Sequence, residues 1–221
     1  MSILELKKPE LLLVEDDRGQ RVVGGDQLWY PKKGYIPSGA CGAAVAACML
    51  AYLLRSGPEY YAAVNSRVET LGLAAPLSEA VNTKAGFLKF MKLIYPFYPP
   101  RAGGLMSDDF CEGIEAFAAE YGLPLEGERL LIPVTRSKRH GAGEVTGFIQ
   151  GSLKSDMPVA FLTLSAGKAE GLENWHWVSI FAYDAGTKKA GIANNCVVSW
   201  TDIEVWLDTS IMGGAFVRLK L

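Results

Sequence analysis

The sequence has little excess of either charge: 22 Lys+Arg stand against 24 Asp+Glu, a formal net charge of −2. Nothing in that balance steers the chain toward nucleic acid or an anionic membrane. The one basic run, Arg136-Ser137-Lys138-Arg139-His140, is short and ends in Gly141-Ala142-Gly143, so it reads as an exposed loop. A long apolar stretch is also missing. The longest charge-free run lies between Lys33 and Arg55, but Gly34, Pro37 and Gly39 interrupt it, leaving Ala40 to Leu54. About 15 residues fall short of the ~20 that a bilayer span needs, so a buried core helix is expected there. Charges break the apolar stretch of Met1 to Pro9 and no small-residue cleavage site follows, unlike a signal peptide. The expectation is a cytoplasmic protein without a membrane partner.

Cysteine is scarce. Cys41, Cys48, Cys111 and Cys196 form no CxxC pair, which argues against a zinc knuckle or a thioredoxin-type motif. In a reducing compartment all four are expected as thiols. Histidine is scarcer still, with only His140 and His176. Internal repeats and low-complexity tracts are absent. With 49% hydrophobic and 21% charged residues over 221 positions, the chain can bury a core, and wholesale disorder is excluded. We read 1–221 as a single domain.

What is present divides into a helix-rich first part, about 38–157, and a strand-rich last part, about 158–221. Glu10 to Glu15 reads as a strand running into the turn Asp16-Asp17-Arg18-Gly19. Ala40 to Leu54 reads as a central helix buried on most sides, with Ser38 as its N-cap and Cys41 in its first turn. Helices are also expected over Glu59–Leu71, Glu79–Ile94, Ser107–Tyr121 (capped by Ser107-Asp108-Asp109) and Glu144–Lys154. Pro158–Ser165 reads as a strand, and Trp175–Tyr183 alternates as a second one. The turn Asp184-Ala185-Gly186-Thr187 then sends Lys189–Asn195 back antiparallel. A short helix over Trp200–Thr209 and a last strand over Ala215–Leu221 complete an α+β architecture with a mostly antiparallel sheet.

One constellation can carry chemistry. A cysteine in the first turn of a buried helix feels the positive end of the helix dipole, which favours the nucleophilic thiolate. Gly39 and Gly42 flank Cys41 and leave room for a substrate carbonyl. Cys48, two turns deeper, serves as the internal contrast and is expected only to pack. His176 follows Cys41 by 135 residues, and Asn194-Asn195 stand on the return strand. A thiol, a base and an amide that orients the base make a coherent acyl-transfer device. His140 is expected to be solvated, and Cys111 and Cys196 to be structural.

These residues resemble a known family. Ser38-Gly39-Ala40-Cys41-Gly42-Ala43-Ala44 resembles the nucleophile helix of papain-like cysteine peptidases, closest to the compact branch of bacteriocin leader-processing peptidases. Trp175-His176-Trp177-Val178-Ser179-Ile180-Phe181-Ala182-Tyr183-Asp184 is similar to that branch's histidine strand, and Ile192-Ala193-Asn194-Asn195-Cys196 to the strand carrying its third member. The separation satisfies the ~130–150 residues of papain-like chains. The likeness covers 38–54 and 158–221. It implies a papain-like fold and a thiol hydrolase cleaving a peptide, amide or thioester bond through a Cys41 acyl-enzyme. His176 is then the base, and a peptide or small acyl compound the substrate. No cofactor or metal is implied. An amine acceptor in place of water makes an acyltransferase on the same fold.

The chain departs from the family at one point. The family usually has a Gln about six residues before the nucleophile, where its amide serves the oxyanion hole. Here that position is Tyr35, and the nearest upstream Gln is Gln27, fourteen residues away. Gln27, Ser38 or Tyr35 could supply the missing donor together with the Cys41 backbone N–H. The gap also motivates the alternative of a catalytically impaired binding module. Trp175 and Trp177 point to opposite faces of their strand, one into the core and one free to shield the Cys–His pair. The third member depends on the hairpin. A three-residue loop pairing Asp184 with Lys188 sets Asn194 diagonal to His176, whereas a one-residue change substitutes Asn195.

Overall fold

The computed structural model describes residues 3–30, 40–57, 81–98 and 103–221. Its interior is built on α1 (Ala40–Ser56), where every residue from Gly42 to Leu54 is buried. Alanine and leucine dominate this stretch and favour helix intrinsically. Their side chains, unbranched at Cβ, let the rod be packed on all sides. α2 (Lys84–Ile94) starts where the Thr83 hydroxyl accepts the Gly86 N–H at 3.2 Å. α3 (Ser107–Tyr121) ends at Gly122, whose φ of 65° is the left-handed cap that only glycine adopts freely.

The sheet comprises β1 (Ile3–Glu5), β4 (Glu126–Ile132), β5 (Val159–Thr163), β6 (His176–Asp184), β7 (Lys189–Asn194), β8 (Val197–Asp202) and β9 (Gly214–Lys220). Its order is β4-β9-β5-β6-β7-β8, with every pairing antiparallel. β1 pairs with the far half of β6, alongside the edge that β5 uses for the near half. A separate small ribbon joins β2 (Leu13–Glu15) to β3 (Arg21–Val23). Side-chain alternation sorts the strands onto two cores. Ala160, Leu162, Trp177, Ala215 and Val217 face α1, α2 and α3. Val159, Phe161, Val178, Ile180 and Phe216 face the opposite layer, formed by α4 (Ala142–Lys154) and α5 (Ile203–Thr209).

This is the α+β class with a mostly antiparallel sheet, and several boundaries differ from expectation. Strand β4 lies inside the stretch expected to be helical. Glu126-Gly127-Glu128-Arg129 carries too few apolar residues to look like a strand, yet it forms the sheet edge, where Arg218 of β9 meets Glu128. Trp200, Thr201 and Asp202 belong to β8 rather than to a helix. Asp202 caps α5 instead, accepting the Val205 N–H at 2.9 Å. Ser107 is inside α3, and the Asp109 carboxylate takes the Met106 N–H at 3.1 Å. Residues 10–12 form a 3-10 turn before β2 begins. The basic loop is anchored rather than free: Arg139 donates to the carbonyls of Pro133, Val134 and Leu207, and His140 pairs with Glu144 at 2.7 Å. The expected helix at Glu59–Leu71, and Tyr35 and Ser38, lie outside the described residues.

Candidate active site

The site begins at the first turn of α1. Cys41 is the one residue between Ala40 and Leu54 that is not buried. The first-turn N–H groups of a helix have no intrahelical acceptor, so the Cys41 N–H is a donor beside its own sulfur. The turn is walled by Trp177 and Leu105. A Cβ placed on Gly42 would stand 2.3 Å from Leu105 Cδ2 and 3.2 Å from Trp177 Cδ1, so any larger residue would force the Leu105 side chain to shift. Trp177 is held in turn by stacking on Phe110 at 4.4 Å and by donating its Nε1–H to the Leu105 carbonyl at 2.9 Å. It is the core member of the tryptophan pair. Trp175 is 53% exposed and sits at φ 55°, just before β6.

His176 opens β6 and is 4% exposed. Its Nε2 lies 2.7 Å from Asn194 Oδ1, and the Cys41 side chain stands close enough to raise the proton affinity of the ring. Burial pulls the imidazole down. The proximity and charge of Cys41, the Asn194 hydrogen bond and the Glu173 carboxylate together outweigh burial, and the ring stands above its ordinary value of 6.5. A base poised upward in this way holds a proton more readily as charge develops on sulfur.

The choice of Asn194 over Asn195 rests on two irregularities. The turn after β6 has four residues, not three: Asp184 pairs with Lys189, and the Asp184 carboxylate takes the Gly186 N–H and the Thr187 hydroxyl. That extra residue alone would throw the asparagines out of line. A β-bulge at Phe181 removes the error, because Ala182 faces Gly191 while Ile180 faces Ile192. Continuing the pairing of Ser179 with Ala193 puts Asn194 diagonal to His176. Asn195 and Cys196, with φ of 45° and 68°, form the two-residue turn into β8 and are thereby removed from the face.

The other expected residues fall as follows. Gln27 lies in a 3-10 turn (Gln27–Trp29) that packs against α1. Cys48 is buried and accepts the Gly25 N–H at 3.3 Å, and Cys196 donates to the Gly24 carbonyl at 3.4 Å, so both act in packing the 24–25 bend. Near this end of α1, Tyr30 tilts against Tyr95 at 5.1 Å, and Tyr98 is 1% exposed. Among the described residues no cluster of His, Cys, Asp and Glu side chains is arranged to hold a metal, and no helix is long and apolar enough to cross a membrane. One participant had not been expected. Glu173 Oε1 accepts the Asn194 Nδ2–H at 2.9 Å, from a loop whose acids carry no sequence signal for that contact. A groove of about 400 Å³ lies against this pair, lined also by Gly171, Leu172, Val197 and Ser199.

No family model matches the chain, and no curated protein matches it either.

Proposed function

We propose that the protein is a papain-like thiol enzyme that transfers or hydrolyses an acyl group held in a peptide, amide or thioester bond. The observation that carries this reading is the meeting of Cys41 with His176 and of His176 with Asn194, which follow Cys41 in the chain by 135 and 153 residues. A nucleophile touching a base, and a base held by a third group, is the arrangement that activates a weak nucleophile.

The chemistry follows from the atoms. His176 takes the Cys41 proton, and the sulfur attacks the substrate carbonyl to form a C–S bond. The negative charge that develops on the carbonyl oxygen is met by the Cys41 N–H at the positive end of α1. His176 returns its proton to the leaving amine or thiol, and the acyl-enzyme remains. Water, deprotonated by the same ring, then attacks the acyl carbon and releases the acid, and the thiol recovers its proton. An amine entering in place of water yields an amide by the same steps. Burial of His176 beneath the partly exposed Cys41 keeps the base out of bulk solvent, where the Cys–His attraction is strongest.

The test is the rate at which iodoacetamide modifies Cys41 at about pH 6, where an unactivated thiol is almost wholly protonated. Fast modification that disappears in His176→Ala supports the reading. A wild-type rate equal to that of free cysteine overturns it and favours a binding module on the same fold.

A further inference from the structure

The Asn194 amide is held at both ends. Its oxygen lies 2.7 Å from His176 Nε2, and its nitrogen donates to Glu173 Oε1 at 2.9 Å. A carboxylate offers only acceptors, so it pairs with the NH₂ end of the amide and with nothing else. The amide oxygen must then face the ring. Because that oxygen has no proton to give, the ring nitrogen opposite it carries one. Nε2 is thus protonated whether the ring is neutral or charged, and Nδ1 is the nitrogen left for Cys41. If the amide turned over, its NH₂ would face Nε2 and the ring proton would move to Nδ1. An imidazole in that tautomer cannot accept the thiol proton.

The loop that carries Glu173 is fixed independently of the amide. The Thr163 hydroxyl, buried on β5, is shared between the carbonyls of Glu173 and His176. The Ala166 N–H donates to Asn174 Oδ1 at 2.8 Å. Trp175, at φ 55°, turns the chain from this loop into β6. Glu173 therefore arrives at Asn194 by way of hydrogen bonds, through the side chains of Thr163 and Asn174, that tie the loop to β5 and its C-terminal extension.

We propose that Glu173 is a positioning residue of the thiol site, whose carboxylate holds the Asn194 amide oxygen toward His176 and so sets the ring tautomer that serves Cys41. This rests on the thiol-enzyme reading. The groups that face the His176 ring with charge are Cys41 from α1 and Glu173 from the loop, with neutral Asn194 from β7. Glu173 is exposed, and solvent screens its direct pull on the imidazolium, so its effect runs mainly through the amide.

Two measurements test this. The first is the Cys41 alkylation rate near pH 6, mapped by mass spectrometry, in Glu173→Ala, Glu173→Gln, Asn194→Ala and the Glu173→Ala/Asn194→Ala double variant. Loss of a hydrogen bond involving a charged group amounts to about tenfold in rate. Glu173→Ala is expected to slow Cys41 by that factor. Glu173→Gln slows it too, since a glutamine amide can present either end to Asn194. The double variant is expected to be no slower than Asn194→Ala. The second measurement is the ¹⁵N spectrum of labelled histidine, assigned with His140→Gln. Neutral His176 is expected as the Nε2–H tautomer in wild type and as a mixture in Glu173→Ala.

An unchanged rate and tautomer in Glu173→Ala, with the wild-type rate still dependent on His176, overturns this proposal alone. So does an equal loss on adding Glu173→Ala to Asn194→Ala, which would mean that Glu173 acts without the amide. A wild-type Cys41 rate indifferent to His176→Ala overturns the thiol-enzyme reading and this proposal with it.

Discussion

Replacing Trp177 probes the wall that shapes the first turn of α1. The indole is 2% exposed, stacks on Phe110 at 4.4 Å, and donates to the Leu105 carbonyl at 2.9 Å. Trp177→Ala removes all three contributions. A buried tryptophan truncated to alanine costs about 3–5 kcal/mol through lost transfer energy and the cavity left behind. The whole stability of a domain is roughly 5–15 kcal/mol, so this variant should stand close to unfolding. Trp177→Phe keeps a ring against Phe110 but loses the N–H and two ring carbons, leaving a smaller cavity. The Leu105 carbonyl is then left without its donor, at a cost of about 1–3 kcal/mol. Urea unfolding followed by far-UV circular dichroism gives both values, with the slope of the transition checking that the unfolded state is unchanged. The expected order is wild type, then Trp177→Phe, then Trp177→Ala. Equal losses in the two variants would mean that the hydrogen bond, not the packed ring, holds the wall. A loss under about 1 kcal/mol in Trp177→Ala would refute the wall itself.

Two further outcomes follow from the thiols and the imidazole. Burial pushes Cys48 and Cys111 up to about 11 and Cys196 up to about 12, so native alkylation at neutral pH should mark Cys41 alone. Adducts on Cys196 at a comparable rate would contradict this. An NMR titration should place the His176 midpoint above 6.5, and Cys41→Ala should lower it, because burial then acts with less opposition. The sign carries to stability: a folded value raised above the unfolded one stabilises fully below about pH 6.5 and loses that contribution as pH rises through the folded midpoint. A midpoint below 6.5 in wild type would show that desolvation wins.

The residues of the site differ in how far the sequence exposes them. α1 is legible because Ala40 to Leu54, rich in Ala and Leu, runs without a charged residue or proline and can only be interior, and Cys41 because it stands at the start of that run. The β6 strand is legible from alternation, and so is the return of β7. The identity of the third member is not, because it depends on a turn longer by one residue and a bulge that offsets it, and neither is written in a pattern of residue types. The sum of the two gives the alignment that a simple three-residue loop would have given, for a different reason. Strand β4 escapes because an edge strand tolerates charges on its open face. Glu173 escapes because the loop that delivers it is shaped by Thr163, ten residues earlier and on another strand. Contacts of that kind exist only once the sheet has formed.

The bulge at Phe181 has a consequence for any redesign of the molecule. Its backbone carbonyl accepts the Leu6 N–H at 3.2 Å, so the extra residue is pinned by the residue that follows β1 rather than left to wander. The hairpin therefore behaves like a belt with a fixed buckle partway along: slack taken up on the tip side does not travel to the side bearing the imidazole. A graft that exchanges residues 185–188 for a tip of another length can therefore keep Asp184 opposite Lys189 and leave Asn194 beside the ring.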